Sequence, residues 1–186
     1  MLFSLWALPA HGAQAPAVSA SAAVLMEAES GRLLFSRNER EQLPMASTTK
    51  IMTALLTLEQ PDREVTITEE MVRVEGSSMG LRAGDRLTLH GLAAGMLAAS
   101  GNDAANAAAI LIDGSLSAFA ERMNRRAQEL GLADTHFVTP SGLDSEGHYS
   151  TARDMALLAR AALENEDFQN LAGQAQVSVS FLEPEG

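Results

Sequence analysis

Apolar and polar positions change period several times along the chain, and each change marks an element. SAAVLMEAESGRLLFSRN sets two apolar runs on either side of Glu29-Ser30-Gly31 and reads as strand, turn, strand. Pro44 interrupts the chain before a helical period carrying Ile51, Met52, Leu55, Leu56 and Leu58, which Gln60-Pro61-Asp62 closes. Residues 64–90 read as extended: EVTIT alternates, and MGLRAGDRLTL holds a Gly-Asp turn that predicts a second hairpin. Small and apolar residues from Leu87 to Ala99 predict a buried helix, broken at Ser100-Gly101-Asn102. DAANAAAILID predicts another helix, favoured by the low ordering cost of alanine. SLSAFAERMNRRAQELG is amphipathic, with Phe119, Met123, Ala127 and Leu130 on one face and Gly131 as its stop.

THFVTPSGLDSEGHYS reads as a long polar loop. Thr151 with Asp154 three residues on has the form of a capping box before DMALLARAAL. QVSVSF alternates and is expected to be a last strand. Hairpins first, helices in the middle and a lone strand at the end predict an α+β fold in which the later sheet strands are missing from the chain.

Composition narrows the function. The 186 residues are 46% hydrophobic and 20% charged, enough for one compact domain with a sizeable core. A net charge of −11 with no basic stripe argues against nucleic acid as a partner. There is no cysteine, which removes disulfides, thiolate nucleophiles and Cys-based zinc sites. His11, His90, His136 and His148 lie far apart without metal-ligand spacing, so neither a metal nor a cofactor is expected. The opening MLFSLWALPA is apolar but too short to span a bilayer. With Ala13 and Ala15 placed like a cleavage site, residues 1–18 read as a signal-peptide-like segment, though without a positive n-region. The domain proper is then 19–186, and the expected location is extracytoplasmic, in the cell wall or periplasm.

Positive charge comes from twelve arginines and one lysine, Lys50, three residues after Ser47 in MASTTKIMTALL. Arginine cannot act as a proton acceptor, whereas a buried lysine can lose its proton. Residues three apart share a helix face, so a neutral Lys50 could take the Ser47 proton as the hydroxyl attacks. A helix N-terminus there would add a partial positive charge and free N–H groups for an oxyanion. With sixteen serines in the chain a chance Ser-x-x-Lys is no rarity, and Ser47 would serve equally as an N-cap. Ser100 and Asn102, between two apolar helices in LAASGNDAANAAA, read either as a helix break or as a hydroxyl and a carboxamide on a firm mount. In the second reading they would pass a proton to a leaving amine and hold a substrate amide.

These segments together resemble the serine D-alanyl-D-alanine carboxypeptidases, the low-molecular-mass penicillin-binding proteins of the β-lactamase/transpeptidase fold. The resemblance rests on VLMEAESGRLLFSRN, MASTTKIMTALL, GSSMGLRAGDRLTLHGL, LAASGNDAANAAA and MNRRAQELGLADTHFVTPSGLDSEGHYSTARDMALLAR, in one order over about residues 22–170. It implies a helical cluster packed on an antiparallel sheet. It also implies Ser47 as the acylated nucleophile, Lys50 as its base, Ser100 as proton shuttle and Asn102 as the substrate-amide contact. The implied reaction removes the terminal D-Ala from peptidoglycan stem peptides through an acyl-enzyme. β-Lactam antibiotics would acylate the same Ser47.

The chain departs from that family in one respect. No Lys follows Lys50, so the family's third motif, a Lys-Thr-Gly that recognises the substrate carboxylate, has no counterpart. Pro140-Ser141-Gly142 lies in a loop without a cation and is not counted. The expectation is a chain truncated at its C-terminus, with weak activity and stability by itself, and any membrane association running through a part beyond Gly186. Two alternatives stand beside this reading. One is a class A-like β-lactamase, for which Asp134, Asp144 and Glu146 show no clear water-activating match. The other is a non-catalytic, penicillin-binding or wall-associated domain.

Overall fold

The helical period around Leu55 becomes α1 (Lys50–Leu58), the centre of the fold. Apart from half-buried Ile51, every residue of α1 is buried. A helix apolar all round must be enclosed by others. Around it pack α2 (Leu89–Ala99), α3 (Asn102–Asp113), α4 (Leu116–Glu129), α5 (Ala152–Ala162) and α6 (Glu166–Ala172). The computed structural model describes residues 15–182; the signal-peptide-like segment falls outside the described residues up to residue 14.

Alanine content has a packing purpose. Ala104, Ala105, Ala107, Ala108 and Ala109 of α3 are fully buried, as is Ala93 of α2. Their small side chains let α1, α2 and α3 approach closely, since helix spacing follows the side chains at the contact. On α4 the predicted face is the buried one: Phe119, Met123 and Ala127 are buried and Leu130 is half-buried.

The first predicted hairpin is present as antiparallel β1 (Ala23–Met26) and β2 (Leu33–Arg37), with Leu25 opposite Phe35. Arg160 of α5 holds its turn, donating from Nε to the Ala28 carbonyl at 2.6 Å. The second differs from expectation. β3 (Glu64–Thr66) pairs with β4 (Arg86–Thr88), so Val65 faces Leu87 and residues 67–85 form the connection. Gly84 and Asp85 sit at the end of that connection, where backbone bonds to Ile67 extend the ladder, and residues 79–82 pair with no strand.

QVSVSF is not a strand. Alternation needs a ladder to pair with, and here only Leu182 donates to a strand carbonyl, that of Arg86 at 2.7 Å. Helix α6 was not expected, because seven residues are too few for a period to show. Its start is nevertheless marked: Asn165 Oδ1 accepts the Phe168 N–H at 2.9 Å, ahead of acidic Glu166 and Asp167. Among the described residues no helix is long and apolar enough to cross a membrane.

Candidate active site

Ser47 lies in a single 3-10 turn, Ala46–Thr49, that runs into α1. This refines the expected helix start at Ser47. In a 3-10 turn residues i and i+3 eclipse, which sets the Ser47 hydroxyl directly over the Lys50 side chain. Lys50 Nζ donates to Ser47 Oγ at 3.2 Å and to the Ser141 carbonyl at 2.7 Å. Ser47 is exposed while Lys50 is only 3% exposed, so the hydroxyl faces solvent and the amine is enclosed behind it. Burial pulls the Lys50 pKa from 10.5 down to about 8, with the charge of Asp103 working in the opposite direction.

The loop from 136 to 150 is strapped to this helix at successive turns. Thr53 Oγ1 donates to the Pro140 carbonyl at 2.6 Å, and the Ser141 carbonyl takes the Lys50 amine. Thr49 Oγ1 lies 2.9 Å from His148 Nε2. His148 Nδ1 accepts the Val138 N–H at 2.9 Å, so the ring is neutral with its proton on Nε2, donated to Thr49. Burial first, then the neighbouring His136, lowers the His148 pKa against the opposing charge of Asp144.

Gly142 makes that strapping feasible. Its φ is +83°, and a Cβ there would run into the Ala46 carbonyl next to Ser47. Gly142→Ala is therefore expected to destabilise the fold by about 2 kcal/mol or more. Urea unfolding of the two proteins measures it.

Ser100 closes α2 in the left-handed region, at φ 55° and ψ 34°. Ala46, next to Ser47, occupies the same region at φ 45°; among the described residues these are two of the three non-glycine residues with positive φ. Such backbone strain gathers where tertiary packing imposes it. The half-buried Ser100 hydroxyl makes no hydrogen bond to Ser47 or Lys50. Asn102 opens α3 and is 5% exposed. Its Nδ2 donates to the Glu75 carbonyl at 2.8 Å, which fixes the orientation of the carboxamide. Among the described residues its Oδ1 is not a buried orphan.

The capping signal at Thr151 is half realised. Thr151 Oγ1 accepts the Asp154 N–H at 3.1 Å. The Asp154 carboxylate, rather than returning the bond, accepts from the Asp134 N–H at 2.8 Å and from Thr135 Oγ1 at 2.7 Å. Asp134 itself pairs with Arg40, and Asp144 and Glu146 are exposed.

Three residues of this site escaped the sequence reading: Ser141, His148 and Asp103. A backbone carbonyl such as that of Ser141 carries no residue-type signal at all. His148 and Asp103 act through contacts across many residues, which no local spacing records.

The family described as D-alanyl-D-alanine carboxypeptidase matches residues 10–184. The D-alanyl-D-alanine carboxypeptidase DacF of Bacillus subtilis (strain 168) is 41% identical over 161 residues, covering 83% of this chain and 41% of its own. The DacD enzyme of Escherichia coli (strain K12) is 39% identical over 166 residues, covering 82% and 43%. Among solved structures, penicillin binding protein 6B from Escherichia coli superposes with a TM-score of 0.83 at 36% identity, over 89% of this chain and 56% of that one. The D-alanyl-D-alanine carboxypeptidase from Mycobacterium tuberculosis H37Rv gives 0.84 at 30% identity, over 95% and 70%. The chain thus spans about two fifths of the length of these curated relatives.

Proposed function

Because the chain belongs to the D-alanyl-D-alanine carboxypeptidase family, we propose that it carries the acylating machinery of a serine carboxypeptidase acting on peptidoglycan stem peptides. The observation that carries the reading is the enclosed Lys50 amine bonded to the exposed Ser47 hydroxyl. With its pKa near 8, an appreciable fraction of Lys50 is neutral at physiological pH.

Neutral Lys50 accepts the Ser47 proton while Oγ attacks the carbonyl carbon of the penultimate D-Ala. The Ser141 carbonyl holds the ammonium that forms. The Ser47 backbone N–H, at the head of the turn, is a donor for the developing oxyanion. Collapse of the tetrahedral species breaks the peptide bond, and Ser100 relays the proton held by Lys50 to the departing D-Ala amine, which returns Lys50 to its neutral form. Water then releases the acyl group from Ser47. Asn102 Oδ1 accepts the N–H of the substrate amide. A β-lactam acylates the same hydroxyl, and its adduct persists because deacylation is slow.

Residues 1–18 direct export in this reading, so the site works outside the cytoplasm. The test is a fluorescent penicillin followed by mass spectrometry, alongside release of D-alanine from a peptide ending in D-Ala-D-Ala. The expected result is a stable adduct on Ser47 together with slow D-alanine release. Rapid turnover of the penicillin without an adduct would instead make the protein a β-lactamase. Labelling without peptide hydrolysis would make it a binding domain.

A further inference from the structure

Asp103, at the start of α3, has no part in the steps above, yet its carboxylate receives five donors. Oδ2 accepts from Ser78 Oγ at 2.6 Å, Leu81 N at 3.0 Å and Gly80 N at 3.1 Å. Oδ1 accepts from Ala104 N at 2.9 Å and Met79 N at 3.0 Å. Three successive amides, 79, 80 and 81, thus converge on one side chain that is 2% exposed. The segment around them lies in neither helix nor strand. Its N–H groups have no ladder to satisfy them: Met79 and Leu81 find their acceptor in Asp103, while Gly80 N also donates to Ser78 Oγ at 2.8 Å.

The same segment is tied to the neighbouring residue of α3. Asn102 N donates to the Ser77 carbonyl at 2.7 Å, and Asn102 Nδ2 donates to the Glu75 carbonyl. Between them Gly76, at φ +87°, passes so near that a Cβ would lie 2.8 Å from Asn102 Nδ2. Residues 75–81 are therefore clamped across the turn that carries Ser100 and Asn102.

We propose that Asp103 is a positioning residue of this site: its carboxylate holds residues 77–81 in place as a wall beside Ser100 and Asn102. This rests on the acyl-transfer reading for its purpose, though not for its test. A carboxylate suits this task. It presents acceptors only, so all five donors can be met at once, and it keeps its charge when buried because those donors stabilise it. Burial would raise the Asp103 pKa, but the bonds from Ser78 and from the Met79, Leu81 and Ala104 amides outweigh it and hold the group below the usual carboxylate range.

Several charged groups on the elements around α1 have partners of their own. Arg126 pairs with Glu59 and Glu129, and Arg122 with Asp113. Asp154 holds Asp134 and Thr135, and Arg160 holds the β1–β2 turn. His90 bonds the Gln60 carbonyl and His148 bonds Thr49. Glu166 and Asp167 of α6 are exposed. At Lys50 burial dominates, and the charge of Asp103 works against it.

Lys50 is the only lysine, so lysine labelled with 13C at Cε gives one resonance whose titration reports this amine alone. Asp103→Asn is expected to move that midpoint below the parent value of about 8. It is also expected to speed amide exchange at Met79, Gly80 and Leu81 on the order of 100-fold, because an amide replaces one acceptor with a donor. Asp103→Glu keeps the charge but displaces it, so the Lys50 midpoint should return toward the parent while exchange at 79–81 remains fast. A role confined to packing would not move the lysine titration. An unchanged Lys50 midpoint in Asp103→Asn, or unchanged exchange at 79–81, overturns the proposal. Should Asp103→Asn not fold, Ser78→Ala removes one donor to Oδ2, and because Ser78 Oγ also accepts the Gly80 N–H at 2.8 Å the readout is Met79 and Leu81: faster exchange there supports the clamp, and parent-like exchange refutes it. Neither measurement requires acylation, so a protein inert to penicillin would refute the carboxypeptidase reading and leave this one to be judged separately.

Discussion

Replacing Lys50 with arginine is expected to leave a folded protein whose Ser47 reacts with penicillin at least 100-fold, and up to about 10,000-fold, more slowly, the range that a positioned general base contributes. The two side chains differ little in reach and charge but entirely in proton affinity. A guanidinium stays protonated at any working pH, whereas an enclosed amine with a pKa near 8 is partly free to accept. The arginine would still find the Ser141 carbonyl that Lys50 Nζ meets at 2.7 Å. Its added bulk in an enclosed position costs about 1–3 kcal/mol, which thermal unfolding measures in parallel. Lys50→Met provides the converse control. It removes an ammonium that burial disfavours, and it should match or exceed the parent in stability near neutral pH while its Ser47 stays unreactive. Parent-like acylation by Lys50→Arg would mean that some other group takes the Ser47 proton.

The second large effect is a pH profile. Acylation should rise about tenfold per pH unit up to about pH 8 and level off above it, because only neutral Lys50 can accept the proton. Stability follows the same group. Between pH 8 and 10.5 the unfolded chain keeps a proton at Lys50 that the folded chain has released. Unfolding then takes up a proton, so the contribution of Lys50 to stability rises with pH across that window, by about 3 kcal/mol in all.

On the acid side two groups act against the fold. The His148 pKa is lowered in the folded state, so stability declines as pH falls below the ordinary histidine value of 6.5. The chemical reason is that Nδ1 must remain an acceptor for the Val138 N–H. Asp103 is also held low, so its contribution is present above the carboxylate range and is lost as pH falls through its folded value. An acylation rate that is flat from pH 6 to 9, measured on the folded protein, would separate Lys50 from the chemistry.

Much of this architecture was written in local patterns. The periodic face of Phe119, Met123 and Ala127, the breaks at Pro44 and at Ser100-Gly101-Asn102, and the first hairpin all follow from near-neighbour sterics and burial, which a sequence displays directly. The pairing of Ser47 with Lys50 was legible for the same reason, since both lie within one turn and their contact needs no distant partner. A titratable residue used once in a chain of arginines added a chemical signal to that spacing.

What only the tertiary structure decided is whatever depends on groups far apart in the chain. QVSVSF alternates like a strand, yet alternation without a partner ladder does not make one. The enclosure of Lys50 comes from a loop 91 residues away in sequence, through a carbonyl that any residue at position 141 would supply. The same holds for Asp103, whose five donors come mostly from a segment more than 20 residues earlier. Residue types at a short spacing name the hydrogen-bonded pair Ser47 and Lys50. The proton affinity of that pair is set by desolvation and by fields from distant groups, which come into being only when the chain closes around them.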